Sequence, residues 1–77
     1  MSANPIERTA LLTIFTSLAD GPRSVAELPR RWPVSRALLR LVAWRLAAAG
    51  LVERAAGRLR LTALGSMHAA ALARVDG

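Results

Sequence analysis

The sequence predicts a mainly helical α+β domain, in which three helices form the core and a two-stranded β-hairpin precedes a final helix. Three observations support this fold class. Apolar residues recur at three- and four-residue steps in several segments, leucine and arginine alternate at residues 58–61, and glycine or proline separates the segments. A chain of 77 residues holds one small core, so residues 1–77 are predicted to form a single domain.

The first helix is predicted to begin at Pro5, with Asn4 as its cap. Glu7 lies in the first turn, where the helix dipole favours a negative charge. Gly21 and Pro22 end the helix, because glycine adopts the left-handed cap and proline cannot continue. An apolar stripe is predicted to face the core, and it consists of Ile6, Ala10, Leu11, Ile14, Phe15 and Leu18.

A short second helix is predicted from Ser24. Residues 24–27 have the spacing of a capping box, in which Ser24 and Glu27 satisfy each other's backbone donors. Pro33 ends this helix, since the residue before a proline avoids helical geometry. Trp32 is predicted to close the core between the second and third helices, which meet at a tight corner.

The third helix is predicted over about residues 35–49, with Ser35 as its cap and Gly50 after its end. Steps of 100° per residue divide it into two faces. The inward face carries Leu38, Leu39, Val42, Leu46 and Ala49. The outward face carries Arg36, Arg40, Trp44 and Ala47, flanked by Ala37, Leu41 and Arg45.

The hairpin is predicted over about residues 51–62. Two strand-like segments, 51–54 and 58–62, flank Ala55-Ala56-Gly57, and Gly57 supplies the positive φ that a tight turn needs. In the second segment the leucines would face the core and the arginines solvent. Glu53 is predicted to form an ion pair within the hairpin.

The final helix is predicted to begin after Thr62, which can cap it. Gly65 should weaken this helix by roughly 1 kcal/mol relative to alanine. His68 is expected to be partly buried with its hydrogen bonds satisfied rather than to bind a ligand. It belongs to a predicted inward stripe of Leu64, Met67, His68, Ala71, Leu72 and Val75.

This order of elements resembles a winged helix-turn-helix domain. The segment WRLAAAGLVER at 44–54 resembles the RLxxxGLVER end of the third helix and first wing strand in MarR-type regulators. The segment RLTALG at 60–65 resembles the LTxxG that leaves the wing in MarR-type and PadR-type proteins. The resemblance implies a transcriptional regulator that binds DNA as a dimer, with the third helix in the major groove and the hairpin beside it. MarR-type proteins carry long extra helices, of which this sequence offers little, and usually have a longer and more highly charged wing tip than residues 54–58, so the resemblance is not extended to an effector pocket.

Charge is concentrated on the elements that this fold would present to DNA. The net charge is +6 and all eleven basic residues are arginines; residues 23–50 carry +5 and residues 51–62 carry +2. Arginine neutralises phosphates and reads guanine through two hydrogen bonds. The alternative is an ordinary solvated basic face. The predicted contacts are Arg36 and Arg40 with bases, flanked by Arg45; Arg30, Arg31 and Ser35 with phosphates; and Arg58 or Arg60 from the wing.

Leu41 and Trp44 are unusual on a face directed at DNA. Trp44 could contact DNA, a protein partner or the protein's own core, since aromatic residues with arginine are typical of protein interfaces. The alternative function is therefore a protein–protein interaction module, either a complex subunit or an inhibitor, that uses the face of Leu41 and Trp44. RNA binding is a weaker third option, because the sequence offers few aromatic platforms for stacked bases.

Composition argues against several other classes of protein. The chain has no cysteine, one histidine and five scattered acidic residues, which favour neither a metal site nor catalysis, so no enzyme activity and no cofactor are predicted. No run of about 18 apolar residues predicts a membrane span. The first residues lack the pattern of a secretory signal, which predicts a cytoplasmic protein. Because so small a core is marginal, a homodimer through the first and last helices is predicted.

Overall fold

The computed structural model describes residues 5–29 and 34–76, with all their side chains except those of residues 73, 75 and 76. Three α-helices and an antiparallel hairpin account for most of this part, which confirms a mixed α+β class with mostly helical content. The predicted cap Asn4 and the predicted core residue Trp32 lie outside the described residues. The elements are α1 (Pro5–Leu18), a 3₁₀ turn (Val25–Glu27), α2 (Arg36–Ala48), β1 (Val52–Ala55), β2 (Arg58–Leu61) and α3 (Ala63–Asp76).

The core lies where α1 packs on α2 and where both meet the hairpin. Ile14 of α1 and Leu39 of α2 are fully buried at its centre. The predicted inward faces of both helices are largely confirmed; the exceptions are Ile6 and Ala49, which are exposed because each lies at a helix end. The remaining buried apolar residues are Ala10, Phe15, Leu18, Leu28, Val34, Val42, Ala43, Leu46, Val52 and Leu59.

The second predicted helix is a single 3₁₀ turn in the described residues, so the prediction of a helix there is wrong. Leu28, which precedes Pro29, has extended backbone angles (φ −71°, ψ 142°), as the proline ring requires of its neighbour. The proline therefore ends the helix one turn earlier than expected. The capping interaction survives, because the Ser24 N–H donates to Glu27 Oε1 at 2.8 Å.

Helix α2 has the predicted boundaries. Ser35 Oγ accepts a hydrogen bond from the Leu38 N–H at 3.1 Å and caps the N-terminus. At the other end Gly50 has φ +79°, and the Gly50 and Leu51 N–H groups donate to the carbonyls of Ala47 and Leu46. This pair of bonds is a Schellman motif, which turns the chain sharply into the hairpin.

The hairpin pairs Val52 with Leu61 and Ala55 with Arg58, so two residues form its turn. Ala56 and Gly57 both have positive φ, which the favoured two-residue hairpin turns require. Arg23 forms an isolated bridge with Leu59 through N–O distances of 2.7 and 3.0 Å. The hairpin is thus joined by backbone hydrogen bonds to the segment that follows α1.

Helix α3 packs on the core through Gly65, Ala69 and Leu72, so most of the predicted inward stripe is wrong and only Leu72 is confirmed. A Cβ atom on Gly65 would lie 1.8 Å from the Leu51 carbonyl oxygen, so only glycine fits where α3 crosses the chain. Ala69 and Leu72 then contact the core. The side chain of Val75 lies outside the described part. The other predicted stripe residues are exposed, namely Leu64, Met67, His68 and Ala71.

Candidate nucleic-acid interface

A groove of about 490 Å³ lies between α2 and the hairpin. Arg40, Trp44 and their neighbours on α2 form one wall, and Arg54 and Gly57 of the hairpin form the other. Ala43, Leu59 and Val25, each at least partly buried, lie between them. The groove combines an apolar base with a basic and aromatic rim.

Three exposed side chains follow one another along the outward face of α2. Arg36, Arg40 and Trp44 are four residues apart, which places them in a row separated by one helical turn each. Trp44 is 65% exposed, so the protein's own core does not enclose it. Arg36 and Arg40 form no ion pair with any described residue. The outward face predicted from the helical period is therefore present, with two unneutralised guanidinium groups.

The other described arginines predicted to contact DNA have acidic partners. Arg45 lies 3.9 Å from Glu7, and Arg58 lies 4.0 Å from Glu27. Arg60 pairs with Glu53, its cross-strand neighbour, as predicted for the hairpin. These side chains are about half exposed, so solvent screens each pair and its contribution to stability is small. Their positive charge is offset locally, unlike that of Arg36 and Arg40.

Glu27 keeps its charge beside Arg58. The backbone N–H and the hydroxyl of Ser24 donate to its carboxylate and lower its pKa below the ordinary value, and the positive charges of Arg58 and Arg23 lower it further. The carboxylate is consequently ionised throughout the neutral range. It partly neutralises the corner between the 3₁₀ turn and the hairpin.

Arg54 is a candidate that the sequence reasoning did not select. Side chains alternate along a strand, so Arg54 shares the face of buried Val52 and lies opposite Leu59. That face continues past the core to the groove, where Arg54 has no ion-pair partner among the described residues. The alternation of side chains along the first strand, starting from Val52, is enough to predict that Arg54 lies on this face. The alternation of leucine and arginine at residues 58–61 instead points to Arg58 and Arg60.

Ser35 and Leu41 complete the part of the predicted site that the structure describes. Ser35 is exposed and its hydroxyl oxygen caps α2, so its first role is structural. Leu41 is 43% exposed and lines the groove beside Trp44. The predicted phosphate contacts Arg30 and Arg31 lie outside the described residues.

The described part of the chain contains neither a metal-binding cluster nor a membrane-spanning helix. No three histidine, aspartate or glutamate side chains lie together as a metal site would require in residues 5–29 and 34–76. No helix in that part of the chain has the length and apolar character needed to cross a bilayer.

Comparison of the chain with protein-family models, with curated proteins and with solved structures gave no match. A functional assignment therefore depends on the exposed row of α2, the groove beside it and the sequence motifs at 44–54 and 60–65.

Proposed function

We propose that the protein is a DNA-binding transcriptional regulator with a winged helix-turn-helix fold. In this proposal α2 enters the major groove and the hairpin lies beside it as a short wing. The observation that carries it is the pair Arg36 and Arg40, which are exposed, lie one turn apart on a capped helix and have no acidic partner among the described residues. The MarR-like motifs around that helix support the same assignment.

The dimensions and chemistry of α2 suit this role. Its 13 residues make a helix about 20 Å long, and the major groove of B-DNA, about 12 Å wide, admits a helix. Arginine can donate two hydrogen bonds to guanine or contact phosphates. Arg45, Arg58 and Arg60 could add phosphate contacts only by exchanging their present acidic partners, so we assign them smaller contributions.

A salt titration with two matched variants tests the proposal. Binding to a random-sequence duplex of about two helical turns is followed by fluorescence anisotropy at increasing salt. The Arg36→Ala/Arg40→Ala variant should bind at least about tenfold more weakly and reduce the salt slope by up to about two. Alanine also favours helix, so α2 should persist, as circular dichroism can verify.

Arg74→Ala is the control, since Arg74 is exposed on α3, away from the hairpin and α2 in the sequence. It removes one positive charge from the chain without changing α2 or the hairpin, the elements proposed to contact DNA. Absence of binding at low salt would exclude the proposal. Equal affinities for the double variant and Arg74→Ala would contradict the placement of α2.

The proposed regulator is a homodimer, and α3 offers the surface for a second copy. Leu64 and Met67 point outward, with Met67 69% exposed. Residues 63–73 contain no arginine, aspartate or glutamate, whereas residues 23–62 carry most of the positive charge. Two such chains would repel each other through their arginine faces, so the uncharged face of α3 is where they can meet.

A protein-interaction module is the second candidate, and the exposure of Trp44 beside Leu41 favours it. Exposed aromatic and aliphatic side chains next to arginine are typical of interface hot spots. The tagged protein would be isolated from its native cell after nuclease treatment. A stoichiometric protein partner that is lost in Trp44→Ala, in a complex without DNA, would favour this function over DNA binding.

A further inference from the structure

We propose that the groove between α2 and the hairpin binds one unpaired nucleotide of DNA. The base would stack on Trp44 and the phosphate would lie between Arg40 and Arg54. This inference rests on the proposed DNA-binding function and adds the form of DNA preferred, namely a duplex with an adjacent single-stranded segment.

The exposure of Trp44 is the first argument. An indole that is 65% exposed at the rim of a groove offers a flat apolar face to a ligand. In a fully paired duplex both faces of each internal base are covered by neighbouring bases. An unpaired base has a free face, and stacking on an aromatic side chain is a common way for proteins to hold it.

The position of the two arginines is the second argument. Arg40 lies one turn before Trp44 on α2, and Arg54 approaches from the inward face of the hairpin. Both line the same groove, and neither has an ion-pair partner among the described residues. Two unneutralised cations on opposite walls, next to an aromatic ring, match the anionic and aromatic parts of a single nucleotide.

The size and lining of the groove are the third argument. Its volume of about 490 Å³ falls within the range of about 300–1,000 Å³ that is usual for sites of small organic groups. Leu41 and Leu59 supply apolar contacts beside the ring. An acidic peptide would satisfy the arginines but would not need the flat indole, whereas a nucleotide uses both.

Three DNA molecules with the same number of phosphates test the inference. They are a blunt duplex, a shorter duplex with a single-stranded overhang, and that duplex with abasic sugars in the overhang. The protein should bind the normal overhang about tenfold more tightly than the blunt duplex, the usual scale for one stacked base. The abasic overhang should lose this preference, since it keeps the phosphates but has no base.

Two substitutions locate the effect. Trp44→Ala should abolish the preference and keep the affinity for the blunt duplex within about twofold, while Trp44→Phe should retain most of the preference. Arg54→Ala should weaken binding of the overhang more than binding of the blunt duplex. Thermal melting of each variant establishes that the fold is intact.

Equal affinity for all three DNA molecules would overturn this inference and leave the proposed DNA-binding function standing. Retention of the overhang preference in Trp44→Ala would also overturn it, because stacking would then occur elsewhere. If Trp44→Ala binds every DNA as the parent does and no preference exists, the inference is overturned, because Trp44 then takes no part in DNA binding. Failure to bind any of the three DNA molecules would exclude the proposed function itself.

Discussion

Helices α2 and α3 have similar lengths and are both rich in alanine and leucine, yet they use these residues in opposite ways. Helix α2 buries most of its core-facing leucines, including Leu39 and Leu46, and presents arginines together with Leu41 and Trp44 to solvent. Helix α3 contacts the core through Gly65, Ala69 and Leu72 and presents Leu64 and Met67 to solvent.

The difference shows that backbone distance can decide which face of a helix turns inward. Helix α2 packs on α1 with room for leucine side chains between the two helices. Helix α3 begins against the Leu51 carbonyl, where a side chain at residue 65 would overlap the backbone. Once Gly65 is placed there, the helical period carries Ala69 and Leu72 inward and Met67 outward.

The largest expected effect is the difference in stability lost when a buried leucine of α2 and an exposed leucine of α3 are each replaced by alanine. Leu39→Ala should cost about 3 kcal/mol or more, because Leu39 is fully buried and its truncation leaves a cavity. That is comparable with the entire stability of so small a domain, so the variant should be largely unfolded at room temperature. Leu64→Ala should cost less than about 1 kcal/mol.

Urea denaturation followed by circular dichroism measures both substitutions. Similar losses of stability for Leu39→Ala and Leu64→Ala would show that α3 buries its large residues after all, as the sequence alone predicts.

The next largest effect is the change in stability caused by Gly65→Ala in α3, for which helix propensity and packing predict opposite signs. Helix propensity alone predicts that Gly65→Ala stabilises the protein by about 1 kcal/mol. The overlap with the Leu51 carbonyl predicts destabilisation by about 2 kcal/mol or more, since α3 must move away. Ser66→Ala, at the exposed neighbouring position, should change stability by less than about 0.5 kcal/mol. A gain of stability in Gly65→Ala, measured by chemical denaturation, would refute the close packing of α3.

The outward face of α3 should also control assembly. Met67→Glu places a charge at the centre of the proposed contact and should weaken the dimer at least about tenfold, as light scattering across a concentration series can measure. Ser66→Glu adds the same charge to the same helix but lies closer to the core side of α3. It should preserve the dimer. A monomeric parent protein at high concentration would rule out this use of the face.

The smallest expected effect is the pH-dependent contribution of Glu27, in the 3₁₀ turn, to the stability of the fold. Because the pKa of Glu27 is lower in the folded protein, its carboxylate stabilises the fold above the ordinary glutamate pKa of about 4.5. This contribution is lost as the pH falls through the lower, folded pKa. Glu27→Gln should therefore melt slightly below the parent at neutral pH and together with it in acid. A constant difference in Tm between pH 7 and pH 3 would contradict the hydrogen bonding around Glu27.

Much of the fold could be predicted because local signals determine it. Ser35 and Gly50 delimit α2, and Gly57 and Thr62 mark the hairpin turn and the start of α3. The sequence overestimates the second helix because Pro33 is taken as its end, whereas Pro29 already forces Leu28 out of helical geometry. The inward face of α3 depends on a contact between residues 65 and 51, which no local pattern contains.

As with the fold, the sequence predicts those residues of the candidate site whose positions follow from local helical or strand periodicity. The helical period correctly placed Arg36 and Arg40 on the exposed face of α2. Arg54 could have been found from the alternation of the strand. The pairing of Arg45 with Glu7 could not, because it joins two helices whose relative rotation is set by the core. Binding of DNA itself stays a prediction.

Thr62 has a consequence for the tolerance of the chain to insertions. Its hydroxyl donates to the Gly50 carbonyl at 2.6 Å and accepts from the Gly65 N–H at 3.0 Å, while its own N–H donates to the Leu51 carbonyl. These bonds fasten the end of α2 to the start of α3 across the base of the hairpin. Extra residues at the tip, near Ala56, would then lengthen the hairpin without shifting either helix. Such an insertion would change how far the hairpin extends from the helices while their packing stays the same.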